Sequence, residues 1–409
     1  MKPLQDKIII LGITGSIAAY KAADLASKLT QAGARVETVL TNAATQFITP
    51  LTFQSVTGQR AYTETDLWGH DAHVLHIGLA RKADLIVIAP ASANTLAKLA
   101  HGIADNLLTV TALAAHRVEK QVPLLLAPAM DAGMFSHPAT QDNIRTLIQR
   151  GNYVIGPEEG HLASGLVAKG RMSEPTVILG QIRYLLSRGG PLTNKRVVVT
   201  AGGTREAIDP VRFISNRSSG KQGYALAQAA LDAGADVILI TSTDHLDPPA
   251  GARLVKTRNA TEMESAVLAA CQGADILLMA AAVADFRPLQ RSAQKIKKEQ
   301  GNPTLELTPN PDILAAVYEQ RQKTQRPGIV VGFAAETQDL IANAMAKLEN
   351  KGLDLIVAND VTAADAGFEV DSNRVTLLWA DGTDEKLPLM KKTEVAETLI
   401  SRLQERIAA

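Results

Sequence analysis

Residues 7–41 read KIIILGITGSIAAYKAADLASKLTQAGARVETVLT, and residues 195–242 read KRVVVTAGGTREAIDPVRFISNRSSGKQGYALAQAALDAGADVILITS. Each stretch opens on a β-branched run and turns through Gly and Thr. Each then runs through an Ala/Leu-rich segment to Gly-Ala-x-Val and a second apolar run ending in Thr. A continuous apolar run is the mark of a strand covered on both faces, and the Ala/Leu segment is helical in composition. The same βαβ unit therefore occurs twice, and each copy predicts its own parallel sheet. The Gly- and Pro-bearing stretch at residues 187–191 is the natural boundary, giving expected domains 1–189 and 190–409.

Shorter apolar runs extend each sheet. The first half offers residues 85–89, 122–127 and 153–155. The second offers 276–280, 329–333, 355–358 and a hairpin of 375–379 with 385–389 across Asp381-Gly382. Alternation with Ala-rich helices makes both halves three-layer α/β folds. Ligands in such folds sit beyond the carboxyl ends of the strands. Those ends are residues 12–16, 41–42, 89–94 and 127–131 in the first half, and 200–204, 281–285, 332–336 and 358–360 in the second. They are rich in Gly, Ala, Ser, Thr, Asn and Asp, as a binding crevice requires.

Composition narrows the functional classes. The chain has 409 residues, with Lys+Arg and Asp+Glu both 42. A zero net charge argues against a nucleic-acid binder that draws its affinity from excess cations. Aromatic residues at 4% poorly supply a base-stacking surface. The single Cys271 excludes an internal disulfide framework and a cysteine-only metal cluster, and suits a reducing compartment. Residues 8–20 are broken by a Gly/Thr/Ser turn and close on Lys21, which reads as a strand entering a helix rather than a signal peptide. The apolar run 276–284 is nine residues long, too short to span a bilayer, so no membrane association and a cytoplasmic location are expected.

The turns carry the chemistry. Gly12-x-x-Gly15-Ser16 leads from a strand into a helix, where glycine admits close backbone approach and the helix N-terminus favours an anion. The pattern is not GxGxxG, and the second strand ends in Thr41 where a dinucleotide site wants an acid. A mononucleotide phosphate is favoured over NAD. Ser218-Ser219-Gly220-Lys221 lacks P-loop spacing, so with Asn216 it is either a phosphate cradle or an ordinary Ser N-cap. His70, His73 and His76 recur at three-residue spacing. Zinc is conceivable there, but a solvated helix face with one functional histidine is the favoured reading. Lys295-Ile296-Lys297-Lys298 is either a solvated charge run or a loop closing over a triphosphate.

Against these residues the chain resembles the bacterial bifunctional phosphopantothenoylcysteine decarboxylase / phosphopantothenate–cysteine ligase family of coenzyme A synthesis. The first-half strings are GSIAAYK (15–21), FITPLTFQSVTG (47–58), HIGLARKADLIVIAPASAN (76–94), GIADNLL (102–108), PAM (128–130) and GRM (170–172). The second-half strings are TAGGTREAIDPVRFISNRSSGKQG (200–223), AAAVADF (280–286), KIKK (295–298), NPDIL (310–314), GFAAET (332–337) and DLIVANDV (354–361). The resemblance implies two Rossmann-like α/β domains: an FMN-binding decarboxylase domain followed by a nucleotide-binding ligase domain.

For the second half the resemblance implies that CTP activates 4′-phosphopantothenate as an acyl-cytidylate, which cysteine then attacks. Asp285, Lys295, Phe333, Lys347 and Lys351 match nucleotide positions, with Pro311, Asp312 and Ile313 in the NPDIL string, and Ala281 and Ala282 match the small residues beside the nucleotide. Asn216 matches the residue that converts the acyl intermediate, and Arg212 lies one turn away in the same motif. Mg²⁺ is implied with the triphosphate, held by few direct protein ligands; no resident metal site is implied. Homo-oligomers are implied too: trimers through the flavin half and dimers through the ligase half, combining into a dodecamer.

For the first half the resemblance implies oxidation of the substrate thiol by FMN, loss of CO₂ from the thioaldehyde, and reduction of the enethiol. His76 matches the catalytic histidine, and Gly15, Ser16, Thr41, Phe47, Ser92 and Asn94 lie where FMN is bound. This chain departs from the family at two positions. Asp131 follows Pro-Ala-Met where the family has Asn, and Ser164 stands in the flap where the family has an acidic Cys. An ionised Asp131 would repel the substrate carboxylate, whereas a buried, protonated one would donate a hydrogen bond as the amide does. Serine is a far weaker acid than a thiol of pKa ~8.5, and His161 is the nearby substitute. The bifunctional enzyme is the favoured reading. The alternative is a ligase whose flavin half is impaired by Asp131 and Ser164 and serves as an assembly or binding module.

Overall fold

A computed structural model of the chain describes residues 2–68, 74–116, 122–297, 304–336, 340–360 and 371–408. The side chains of residues 335, 336, 340–342, 360 and 408 lie outside that description. The chain divides into two compact units, Lys2–Leu186 and Ser187–Ala409.

The first unit opens on β1 (Ile8–Ile13), α1 (Ala19–Gln31), β2 (Arg35–Leu40), α2 (Pro50–Thr57) and β3 (Ala61–Tyr62). It continues through α3 (Leu75–Lys82), β4 (Leu85–Ala91), α4 (Ala93–His101), α5 (Leu107–Ala114) and β5 (Leu124–Pro128). It closes with α6 (Ala132–Ser136), α7 (Pro138–Gln149), β6 (Tyr153–Val154), the hairpin β7 (Glu158–His161) and β8 (Val167–Arg171), and α8 (Pro175–Ser187). The strands form one parallel sheet in the order β3-β2-β1-β4-β5-β6. Every residue of β4 is buried, as a central parallel strand covered on both faces requires. Alternate residues of β1 serve opposite cores. Ile9, Leu11 and Ile13 face one with Leu25, Leu29 and Ile178, while Ile10 faces the other with Leu79, Leu96 and Leu107.

The second unit starts with β9 (Arg196–Ala201), β10 (Arg205–Ala207), β11 (Phe213–Ser215), α9 (Lys221–Asp232), β12 (Asp236–Thr241) and β13 (Arg253–Lys256). Next come α10 (Ala260–Cys271), β14 (Ile276–Met279), β15 (Phe286–Pro288), β16 (Leu307–Pro309), α11 (Ile313–Thr324) and β17 (Ile329–Glu336). It ends with α12 (Leu340–Asn350), β18 (Leu355–Asp360), β19 (Ser372–Asn373), β20 (Val375–Trp379), β21 (Asp384–Lys386), β22 (Met390–Lys391) and α13 (Lys392–Ala408). Its main sheet runs β13-β12-β9-β14-β17-β18-β20-β21, parallel as far as β18 and antiparallel beyond it. Val198, Ile238 and Leu277 pack with Val267, Val317 and Leu348 of α10, α11 and α12. The helix α9 lies against β9 and β12, with α13 behind it.

Both halves are therefore parallel-sheet α/β folds, and the expected hairpin is present around Gly382 at φ 85°. In each sheet the strand order reverses beside the first strand, at β1/β4 and at β9/β14. Crevices at such reversals are where α/β sheets bind ligands.

The helix α5 begins at Leu107, where Asn106 caps it by accepting from Thr109 N at 2.9 Å. Two sequence expectations shift. The serine cap considered for α9 does not form. Gly220 holds that position at φ 76°, with no side-chain cap. Arg212 and Asn216 are not a helical turn apart but flank the strand β11. Among the described residues no helix is long and apolar enough to cross a membrane.

Candidate functional site

In the first half, the turns after β1, β2 and β4 meet. Thr14, 1% exposed, donates its hydroxyl to Pro90 O at 2.7 Å and accepts from Ser92 N at 2.9 Å. One side chain thus ties both turns across the β1/β4 reversal. Thr41 N donates to Ile13 O at 3.0 Å, and Thr41 Oγ1 accepts from Ala44 N at 3.3 Å. A Cβ on Gly15 would stand 2.6 Å from Ala43 Cβ, so only glycine lets these two turns touch. Ser16 Oγ accepts from Ala18 N at 3.2 Å just before α1, and Ser92 caps α4 by accepting from Thr95 N at 3.3 Å. Asn94 is exposed in the first turn of α4, and Phe47 is 52% exposed after the β2 turn. Gly15, Ser16, Thr41, Ser92 and Asn94 are thereby gathered around one sheet end.

His76 is the second residue of α3, which packs on α5. Its Nδ1 is buried and has no hydrogen-bond partner among the described residues. Such an orphan is uncommon and marks a nitrogen waiting for a ligand or substrate group. His70 and His73 lie outside the described residues.

No flavin is part of the structure, but the residues fit one. A glycine-lined turn runs into a helix N-terminus for the phosphate. Phe47 offers an exposed phenyl ring for the apolar ring system, and among the described residues the buried imidazole nitrogen has no partner.

The two departures at 131 and 164 come together. Asp131 caps the short α6, accepting from Gly133 N at 2.9 Å through Oδ1. Ser164, at the tip of the β7–β8 hairpin, donates to Asp131 Oδ2 at 2.6 Å. The Ser164 hydroxyl first, and the Gly133 N–H second, hold the Asp131 carboxyl below the ordinary carboxylate range. The buried, protonated Asp131 considered from sequence is therefore corrected. The group is partly exposed, carries two donated hydrogen bonds and is ionised. The base of the hairpin is docked by Met130 N donating to Gly170 O at 3.0 Å. Behind it, the buried Lys21 ammonium donates to Met172 O at 3.2 Å and to Glu174 Oε1 at 3.0 Å. His161 is exposed at the end of β7.

In the second half, the β9/β14 reversal is tied in the same way as its counterpart. Thr200 Oγ1 accepts from Ala281 N at 3.0 Å, and Thr204 Oγ1 accepts from Ala284 N at 2.9 Å. Beyond it opens a cleft of about 530 Å³. Asn216, Ala281, Ala282 and Asp285 line it together with Pro311, Asp312, Ile313, Phe333, Lys347 and Lys351. Asn216 Nδ2 donates to Val283 O at 3.1 Å, and Lys347 Nζ donates to Phe333 O at 3.2 Å. Asp312 caps α11 and pairs with Lys351. Burial works to raise the Asp312 carboxyl, but the Lys351 ammonium and the Ala315 N–H outweigh it and hold the group ionised.

Lys295 and Arg212 do not line that cleft. Arg212 instead pairs with Asp209, whose side chain is 0% exposed and which also accepts from the backbone of Ile296, the residue after Lys295. Asp209 accepts from Val211 N and Arg212 N, both at 2.8 Å, and from Arg212 Nε at 2.9 Å. Ile296 N donates to it at 3.3 Å, and Arg212 Nη2 donates to Ile296 O at 2.7 Å. Burial opposes the charge on Asp209, but these donors hold its carboxyl far below the usual range. The loop bearing Lys295 and Lys297 is thus pinned to the β10–β11 turn. Lys298 lies outside the described residues.

Sequence reasoning passed over Thr14, Asp209 and Lys392. The Asp-Pro step at 209–210 signals a turn but not a buried anion. Lys392 opens the terminal helix like a surface residue, yet it is 6% exposed and lines the cleft with Lys221. Burial, then the charge of Lys221, pushes its ammonium down. Among the described residues, no group of three His, Cys, Asp or Glu side chains gathers that could hold a metal ion.

Comparison with known proteins agrees with this division. The Flavoprotein family matches residues 2–187, and the DNA/pantothenate metabolism flavoprotein C-terminal domain matches residues 192–407. The coenzyme A biosynthesis bifunctional protein CoaBC of Bacillus subtilis is 46% identical over 403 residues, 98% of this chain and 97% of its own length. That of Vibrio cholerae is 43% identical over 409 residues, all of both chains. Among solved structures, the C-terminal domain of a CoaBC protein is 37% identical, covering 54% of this chain and 98% of its own, at a TM-score of 0.46. The FMN binding protein AtHal3 is 36% identical, covering 44% of this chain and 96% of its own, at a TM-score of 0.39. Identity of this order, sustained from end to end, places the chain in the family of bifunctional coenzyme A biosynthesis proteins, CoaBC.

Proposed function

We propose that residues 190–409 join 4′-phosphopantothenate to cysteine with CTP, and that residues 1–189 decarboxylate the product to 4′-phosphopantetheine with FMN. Full-length family membership does not favour the ligase-only alternative. The observation that carries the ligase assignment is convergence. Candidate residues from five separate stretches of sequence line one cleft beyond the β9/β14 reversal.

In that cleft Lys347, Lys351 and the Lys221/Lys392 pair supply the positive charge a triphosphate needs. Lys295 lies outside the lining of that cleft, and its part in the proposal rests on the family resemblance alone. Ala281 and Ala282 leave room for close approach of the nucleotide. Asn216, already fixed by its bond to Val283 O, offers an amide to the acyl oxygen. Mg²⁺ enters with CTP and is held largely by the phosphates.

FMN, when bound, supplies the two-electron redox step that makes the carboxylate a leaving group and then restores the thiol. The chain's own contribution is positional and protonic. The Gly15–Ser16 turn and the α1 N-terminus would hold the flavin phosphate, and Phe47 would offer an apolar face to its ring system. His76 carries a buried nitrogen, without a partner among the described residues, that can hold or move a proton. Asp131 and Ser164 close the hairpin side. A homo-oligomer, of dodecameric form by resemblance, and a cytoplasmic location complete the proposal.

The test is incubation of purified protein with 4′-phosphopantothenate, CTP, Mg²⁺ and cysteine, with products identified by mass. Phosphopantetheine is expected. Accumulated phosphopantothenoylcysteine would overturn the decarboxylase assignment, and unreacted phosphopantothenate the ligase assignment. Colourless purified protein would count against FMN.

A further inference from the structure

Ser164 donates to Asp131 across 2.6 Å, the length of a hydroxyl bonded to a carboxylate. Asp131 Oδ1 is already taken by Gly133 N. A carboxylate has no proton to give, so the hydroxyl must be the donor, and a hydroxyl has one proton. The tip of the hairpin has little else to hold it. Residues 163–167 are exposed, and Leu162 N to Leu166 O at 2.8 Å and Gly165 N to Leu162 O at 2.9 Å close the turn only on itself. The ties from hairpin to body lie at its base, where Gly170 O meets Met130 N and the Lys169 ammonium sits 5.5 Å from the Phe135 ring centre. Among the described residues the Ser164–Asp131 bond is the one side-chain hydrogen bond from the tip to the body.

We propose that Asp131 and Ser164 act as one latch: the Asp131 carboxylate accepts the one hydrogen bond Ser164 can donate, holds the hairpin tip against the β5–α6 turn, and leaves the Ser164 hydroxyl only lone pairs for any other partner. Both are then positioning residues, and Ser164 is not the proton donor of the final reduction. That last clause rests on the decarboxylase reading; the latch does not. The pairing also explains why the two replacements suit each other. A thiol beside an ionised carboxylate has its ionisation opposed and its bond lengthened, whereas a hydroxyl serves as a plain donor.

The experiment is hydrogen exchange by mass spectrometry on the FMN-bound full chain, following a peptide over residues 158–171. Ser164→Ala and Asp131→Ala should each speed exchange at the tip by about tenfold, the factor a charge-assisted hydrogen bond carries. The double variant should be no faster than either single one. Asp131→Asn keeps an acceptor and should recover most of the protection. Unchanged exchange in Ser164→Ala, or additive effects in the double variant, would overturn the latch. Product analysis separates the second clause. Ser164→Ala should still form phosphopantetheine, with KM rising more than kcat falls. Accumulation of the unsaturated thiol would make Ser164 the acid and overturn the positioning role, whatever the exchange data show.

Discussion

Thr14→Val tests whether the flavin-side crevice depends on one buried hydroxyl. Valine keeps the shape of threonine and removes both hydrogen bonds. Pro90 O would lose its donor at 2.7 Å, and Ser92 N its acceptor at 2.9 Å. With Thr14 1% exposed, water cannot replace them without opening the turns. Each stranded buried group costs about 1–3 kcal/mol. Ser92 is only partly buried and recovers some of its share, so about 2–4 kcal/mol is expected in all. In a unit of this size 1 kcal/mol moves Tm by about 2–4 °C, which gives a fall of roughly 4–16 °C. The assay is calorimetry of the FMN-loaded full chain, reading the transition that coincides with release of flavin fluorescence. The transition of the second unit should stay in place. Thr14→Ser keeps both bonds and loses one methyl, worth about 0.8 kcal/mol. A valine variant within 1 °C of the parent would refute the reasoning (about the error of such a scan, ~0.3 kcal/mol). So would a serine variant that falls as far as valine.

Other expectations concern the hairpin, the ligase loop and the lone thiol. Gly170→Ala puts a Cβ 2.3 Å from Met130 O, so β8 and the β5–α6 turn must part by about 1 Å. A loss of about 1–3 kcal/mol by thermal melting, with faster amide exchange across 158–171, is expected. Asp209→Asn keeps acceptance from Val211 N and Arg212 N at Oδ1 but loses, at the other position, both the guanidinium pairing and the bond from Ile296 N. KM for CTP should rise about tenfold and protease should cut the 292–297 loop sooner; an unchanged KM would dissociate the loop from the nucleotide. Cys271 is 0% exposed, and burial pushes its thiol up to about 12. A native pKa above the unfolded value of about 8.5 means its contribution to stability is full below pH ~8.5 and is lost as pH rises toward 12. Native protein at pH 8 should therefore resist a disulfide reagent until denaturant is added.

The two parallel sheets were legible because each rests on local pattern. An apolar run, a Gly turn, a helical segment and a second run can be read within 35 residues at 7–41 and within 48 at 195–242. The strand-end residues followed from the same logic, which is why Gly15, Thr41 and Ala281 could be named without a structure. The state of Asp131 could not be read, since it depends on Ser164, 33 residues away, folding back to donate to it. Asp209 was hidden for a related reason. Its partners Arg212 and Ile296 lie 3 and 87 residues away, and only the fold brings the second of them close. Thr14 was passed over within a turn already marked as important, because a threonine beside glycines reads as a turn former rather than a cross-strand pin. Lys392 shows the limit of amphipathic reasoning. Its position on a terminal helix looks solvated until β22 and the α9 N-terminus surround it.

Both sheets finish in strands that offer a neighbouring chain little to pair with. In the flavin half the outermost strands, β3 and β6, are two residues each. In the ligase half the outermost strands are β13, Arg-Leu-Val-Lys, and β21, Asp-Glu-Lys. Short or charged borders are the means by which sheets avoid recruiting foreign strands. These borders disfavour assembly by extending either main sheet, which leaves helix faces, loops and the small two-stranded sheets as the surfaces for copies to meet. The same borders guard the crowded, newly made chain against fibrous self-association while its cofactor is still being acquired.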